Sequence, residues 1–238
     1  MDIREKIIIA LDAGTKEEAL ALVGQLDEAR VFKVGMELFT AEGRALLEEL
    51  ARRAKKCFLD LKYHDIPNTV AGAARSAVRQ GVAMLTLHAS GGREMMRRAA
   101  EAASAEAAKA GQARPLLFGV TVLTSLGDND LQDIGCPSPA GDQVLRLAGL
   151  AKAAGLDGVV SSPQEIEIIK RELGKDFLVV TPGIRPVWAA SHDQKRILTP
   201  AEAVRLGVDY LVIGRPITAA PSPGEALRRI LEEIKAGF

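Results

Sequence analysis

Lys6-Ile7-Ile8-Ile9-Ala10-Leu11-Asp12-Ala13-Gly14-Thr15 is a short apolar run that ends in an aspartate and leads straight into a helix start. The run is brief and unbroken by polar residues, as a parallel strand buried on both faces would be. Thr15-x-x-Glu18 then reads as a capping box. An open, doubly wound sheet would place a G-x-G-x-x-G turn after its first strand, and residues 11–15 hold none. The same grammar recurs along the whole chain. Strand-like runs stand at 6–12, 31–35, 57–63, 83–88, 116–122, 158–161, 178–182 and 210–214, alternating with stretches rich in Ala, Leu, Glu and Arg. Each interval has room for a strand and a crossover helix. Eight such units predict a closed (β/α)8 TIM barrel, with residues 1–238 forming one α/β domain.

Helix boundaries support that reading. Ser162-Pro163-x-Glu165, Thr199-Pro200-x-Glu202 and Ser222-Pro223-x-Glu225 repeat the capping-box pattern, each with proline at the first helical position. Gly81, Gly155, Gly174 and Gly207 mark helix ends ahead of the next strand. Aromatic residues are only 4% of the 238, so a core of Ala, Val, Ile and Leu is expected.

Composition also narrows function. Thirty-one basic residues balance 31 acidic ones, which argues against nucleic acid as partner. Cys57 and Cys136 form neither a disulfide framework nor a C-x-x-C metal pair. The apolar run at the N-terminus is too short for a signal or membrane segment, so no membrane partner and a reducing, cytoplasmic setting are expected.

In a barrel, chemistry gathers where strands end. Asp12, Lys33, Asp60, Lys62, His88, Thr124, Arg185 and Arg215 all fall at or near such ends. Lys33 is one charge inside the apolar Val31-Phe32-Lys33-Val34-Gly35. It needs a partner or a shifted pKa, unless it lies at an edge with its ammonium in solvent. In Asp60-Leu61-Lys62 the two charges share one face and Leu61 takes the other. Asp65 follows in a loop restrained by Pro67. The four charges can alternate in sign as an array or form a structural salt-bridge network. Thr181-Pro182-Gly183-Ile184-Arg185 and Ile213-Gly214-Arg215-Pro216 end consecutive strands with glycine and arginine, the place where barrels often hold phosphate. His64, His88 and His192 lack metal-ligand spacing and read as structural or supporting residues. Trp188 and Gln194 lie in the long 184–198 segment, either a lid or a long connection.

Asp60-Leu61-Lys62-Tyr63-His64-Asp65-Ile66-Pro67-Asn68-Thr69 resembles the D-x-K-x-x-D-I-P-N-T signature of the orotidine 5′-phosphate decarboxylase family. The resemblance extends to Ala10-Leu11-Asp12, Phe32-Lys33-Val34-Gly35, His88-Ala89-Ser90-Gly91-Gly92, Val122-Leu123-Thr124-Ser125, Thr181–Arg185 and Gly214-Arg215. It implies decarboxylation of orotidine 5′-phosphate to UMP in pyrimidine biosynthesis, with no metal and no organic cofactor. Carried over, Lys62 is the proton donor to C6, Asp60 lies near the substrate carboxylate, and Lys33 and Asp65 complete the array. Asp12 and Lys33 bind ribose hydroxyls and Thr124, or Ser125 beside it, the pyrimidine. Gln194, Arg185, Gly214 and Arg215 hold the phosphate. The resemblance further implies a homodimer in which Asp65 and Thr69 reach the neighbouring subunit's site.

Three alternatives use the same residues. A metal-dependent keto-sugar-phosphate decarboxylase or synthase would share Asp60, Lys62 and Asp65 and recruit Glu37 as a ligand. A Schiff-base aldolase would use Lys33 or Lys62 as nucleophile. A silent phosphate-ligand sensor would need no chemistry at position 62.

Overall fold

A computed structural model of the chain describes residues 2–189 and 198–236. Its eight strands are β1 (Ile7–Leu11), β2 (Val31–Gly35), β3 (Lys56–Tyr63), β4 (Met84–His88), β5 (Leu116–Val120), β6 (Gly158–Val160), β7 (Leu178–Thr181) and β8 (Tyr210–Ile213). Each pairs in parallel with the next, and β8 pairs with β1, closing the barrel in sequence order. Eight strands fall on the eight expected runs. Several stop one or two residues early, β5 at Val120 and β7 at Thr181, because residues 121–122 and Pro182 already turn into the loops that follow.

The helices are α1 (Ile3–Lys6), α2 (Lys16–Gly24), α3 (Met36–Arg52), α4 (Pro67–Arg79), α5 (Gly92–Ala110), α6 (Asp128–Asp133), α7 (Ala140–Ala153), α8 (Ile166–Leu173), α9 (Pro200–Arg205), α10 (Arg215–Thr218) and α11 (Pro223–Ala236). The four glycines expected at helix ends all have positive φ, where a Cβ would be strained. The capping patterns fare unevenly. Thr199 and Glu202 form a reciprocal box. Thr15 accepts from the Glu18 N–H, but the Glu18 carboxylate caps Gly14 instead. Ser162 makes no cap: its hydroxyl and that of Ser161 both donate to the buried Glu165 carboxylate, and a 3-10 turn replaces the expected helix start.

The main core lies between strands and helices and is aliphatic, as composition predicts. The barrel interior differs. Ile8, Val31, Phe58, Met84, Phe118, Val180 and Tyr210 point inward from seven strands and form a separate buried cluster. Phe118 packs edge-on against both Phe58 and Tyr210, with ring centroids 6.0 Å apart in each pair. Three aromatics thus sit in the plug and close the barrel beneath whatever lies above.

Candidate active site

Side chains on a strand repeat on the same face every second residue. Two residues beyond Val31, Phe58 and Met84 come Lys33, Asp60 and Thr86, so strands β2, β3 and β4 place a polar layer directly over the apolar plug. Asp60 is 9% exposed and Thr86 is fully buried. One Asp60 oxygen, Oδ2, lies 2.8 Å from Lys62 Nζ and 3.8 Å from Lys33 Nζ. The other, Oδ1, accepts the Thr86 hydroxyl at 2.9 Å. Lys33 Nζ also reaches Asp12 Oδ1 at 3.3 Å, across from β2 to the end of β1. A Cβ on Gly214, at the end of β8, would stand 3.4 Å from Asp12 Oδ2. The rim thus runs Gly214, Asp12, Lys33, Asp60, Lys62 over four adjacent strands.

Lys33 is not an edge residue with a solvated ammonium. Its side chain is 14% exposed and shared between two carboxylates. Burying a charge is tolerable when partners satisfy it, and stripping one partner from such a group costs on the order of 3–5 kcal/mol. Asp60, with two ammoniums and one hydroxyl around it, is the anion that both lysines require.

Lys62 departs from the plain alternation expected of β3. Its φ is +49°, the left-handed region that non-glycine residues seldom occupy, and the β3–β4 register shifts between Leu59 and Tyr63. Such a residue stores about 1–3 kcal/mol that its surroundings must offset. The Lys62 N–H, displaced from the ladder, donates to Thr86 Oγ1 at 2.9 Å. Leu61 still turns outward to the aliphatic core.

Two cavities of about 200 Å³ each open around this layer. Both are lined by Lys33, Asp60 and Lys62. One extends over Asp12, Gly35 and Glu37, the other over Val122, Thr124, Ser161 and Pro182. Thr124, not Ser125, faces the second. A larger cavity of about 430 Å³ lies at the opposite end of the barrel, near Glu5, Lys56 and Arg114. Size does not mark the site here; the converging charges at the C-terminal strand ends do.

The arginine end is arranged unequally. Arg185 is 5% exposed and its backbone N–H donates to Leu198 O at 3.0 Å, beside a parallel bridge between Ile184 and Leu198. Gly183 before it has φ +80°, so the turn into Arg185 requires glycine. Arg215 is exposed and opens α10. Trp188 lies under the Arg229 guanidinium, 4.3 Å from ring centroid to Cζ, which fastens this stretch to α11. Gln194 and His192 lie outside the described residues.

Asp65 and Thr69 do not join the array within the chain. Both are exposed at the start of α4, Asp65 Oδ1 accepts the Ile66 N–H at 2.6 Å, and among the described residues Asp65 makes no ion pair. His88 lies 5.4 Å from His64, ring to ring, and burial followed by the nearby His64 and Lys62 charges pushes its pKa down. Among the described residues no group of three or more His, Cys, Asp or Glu is placed to hold a metal ion, Glu37 included. Thr86 went unnoticed in the sequence; a threonine two residues before His88 on the inward parity of β4 was the available clue.

Comparison with known proteins follows the same outline. The model of the Orotidine 5'-phosphate decarboxylase / HUMPS family matches residues 5–230. The chain belongs to this family. Its similarity to orotidine 5′-phosphate decarboxylase of Heliobacterium modesticaldum is 48% identity over 100% of the chain and 99% of the relative. Against that of Actinobacillus succinogenes it is 55% over 94% and 96%. The crystal structure of orotidine 5′-phosphate decarboxylase from Lactobacillus acidophilus superposes with TM-score 0.86 at 39% identity, covering 96% of this chain and 98% of that one.

Proposed function

We propose that this barrel decarboxylates orotidine 5′-phosphate to UMP, the activity for which its relatives are named. The observation that carries the reading is one buried carboxylate, Asp60, held between two ammoniums at the mouth of the barrel. Cleavage of the C6–carboxylate bond leaves its electron pair on C6, where the pyrimidine offers no sink. A fixed ammonium stabilises that charge as it develops and then transfers its proton to C6; the neutral amine recovers a proton from solvent. Lys62 is that group. Its hydrogen bond to Asp60 holds the ammonium aimed before substrate arrives. Asp60 stands beside the departing carboxylate, and their repulsion is relieved as CO2 leaves.

The remaining assignments follow the strand ends. Asp12 and Lys33 take ribose hydroxyls, Thr124 the pyrimidine, and Arg185, Gly214, Arg215 and Gln194 the phosphate. Binding energy from the phosphate, remote from C6, organises the charged layer. Asp65 completes the array from a second subunit, together with Thr69. Their exposure on the rim supports that reading, as do the exposed apolar Met36, Ile66 and Leu123 around the same mouth. We assign residues 1–238 to one catalytic unit working in the cytoplasm; no described helix is long and apolar enough to cross a membrane.

The test is loss of orotidine 5′-phosphate absorbance with purified protein in EDTA. Turnover should be undiminished, and Lys62→Ala should lose nearly all of it while still binding UMP. A requirement for added divalent metal would overturn the reading.

A further inference from the structure

We infer that Thr86 is a positioning residue for this reaction, setting the geometry of both Asp60 and Lys62 through one hydroxyl. The inference rests on the activity proposed above.

A hydroxyl has one hydrogen to donate and lone pairs to accept with. Thr86 uses both. Its hydrogen goes to Asp60 Oδ1 and its oxygen receives the Lys62 N–H, each at 2.9 Å, in a fully buried position. The two bonds divide the work of the site. Oδ1 is occupied by a neutral donor, so Oδ2 is left to face Lys62 and Lys33. At the same time the Lys62 peptide, thrown out of the β3–β4 ladder by the register shift, finds the acceptor that the ladder no longer supplies. Without Thr86 the left-handed turn at Lys62 would leave a part-buried N–H without this partner, and the strand would gain by relaxing toward regular pairing. Relaxation would carry Nζ away from Asp60. The matching inward positions two residues beyond the level of the plug on β5, β6 and β8 are Val120, Val160 and Val212, which line the cavity that Asp60 and Lys62 face, so a branched aliphatic residue would satisfy packing at position 86. What such a residue lacks is the hydroxyl that joins the two catalytic groups.

Thr86→Val keeps the shape and removes both bonds. Kinetics on orotidine 5′-phosphate and UMP affinity should be measured together for wild type, Thr86→Val, Thr86→Ala and Thr86→Ser. The valine variant should lose about 10- to 100-fold in kcat, as expected from hydrogen bonds to a charged group. KM and UMP affinity should stay within about threefold of wild type, since the phosphate grip is untouched. Serine should restore most of kcat. If valine does not fold, alanine takes its place in the comparison, because it removes the same bonds without a methyl against the carboxylate. The inference is overturned if the variant lacking the hydroxyl keeps wild-type kcat, or if serine falls as far as valine or alanine. Wild-type protein that does not consume orotidine 5′-phosphate at all would instead refute the proposed activity, and the positioning role with it.

Discussion

Single residues in this site are explained by what they neutralise. Lys33 is anomalous in its apolar strand and requires a partner, and the structure supplies two, Asp12 and Asp60. Asp60 and Lys62 were legible because spacing of two puts charges on one face of a strand. Thr86 was not legible, because a threonine in a strand is ordinary and only the positive φ at Lys62 gives its hydroxyl a task. His88 is a similar case with a measurable consequence. Burial first, then His64 and Lys62, push its pKa down, while Asp60 alone opposes them. The unfolded chain therefore takes up a proton at His88 before the folded protein does. Stability from this group is intact above the unfolded histidine value, about 6.5, and is lost as pH falls toward the lower folded value. Urea midpoints measured from about pH 7.5 down to 5.5 should decline in wild type and decline less in His88→Gln. Parallel declines would show that His88 protonates equally in both states.

At the scale of elements, strands were easier to read than caps. Eight apolar runs became eight strands because a strand buried on both faces has few other ways to hide its side chains. Caps depend on which carboxylate reaches which N–H, and three similar patterns gave three outcomes at Thr15, Ser162 and Thr199. Glu165 illustrates the competition: with Ser161 and Ser162 both donating to it in a buried pocket, its carboxylate is unavailable to cap a helix. The box at Thr199 is complete. The Thr199 hydroxyl and N–H both donate to the Glu202 carboxylate, and these bonds pull its pKa down. A depressed carboxylate stabilises the fold above its unfolded pKa and ceases to do so as pH falls through its folded one. Thr199→Ala should cost about 1 kcal/mol in a urea melt at neutral pH. Repeated at a pH low enough to protonate Glu202 in the folded protein, the same comparison should show a smaller gap, since the protonated carboxyl no longer completes the box. An equal cost at both pH values would mean that the Thr199 oxygen alone, accepting the Glu202 N–H, supplies the capping energy.

For the molecule as a whole, the barrel is a stack: an apolar plug with three aromatics, a charged layer on it, and a rim of loops above. The stack was implicit in strand parity, since the plug and the charged layer lie two residues apart on the same strands. The array is open on one side, where Asp65 and Thr69 are exposed and bond to no described group across the mouth. If Asp65 serves a neighbouring subunit, lesions in Lys62 and Asp65 on different chains should complement. In a mixed dimer of Lys62→Ala and Asp65→Asn, one site combines the alanine with the asparagine, whereas the other has its own lysine and an intact aspartate from the partner. Random pairing of equal amounts makes half the dimers mixed, each with one intact site, so mixing two nearly inactive proteins should recover about a quarter of wild-type activity. The measurement is turnover after subunits are unfolded together and refolded, compared with each variant refolded alone. If Asp65 acted within its own chain, every site in the mixture would carry exactly one lesion, and activity would stay at the sum of the separate variants.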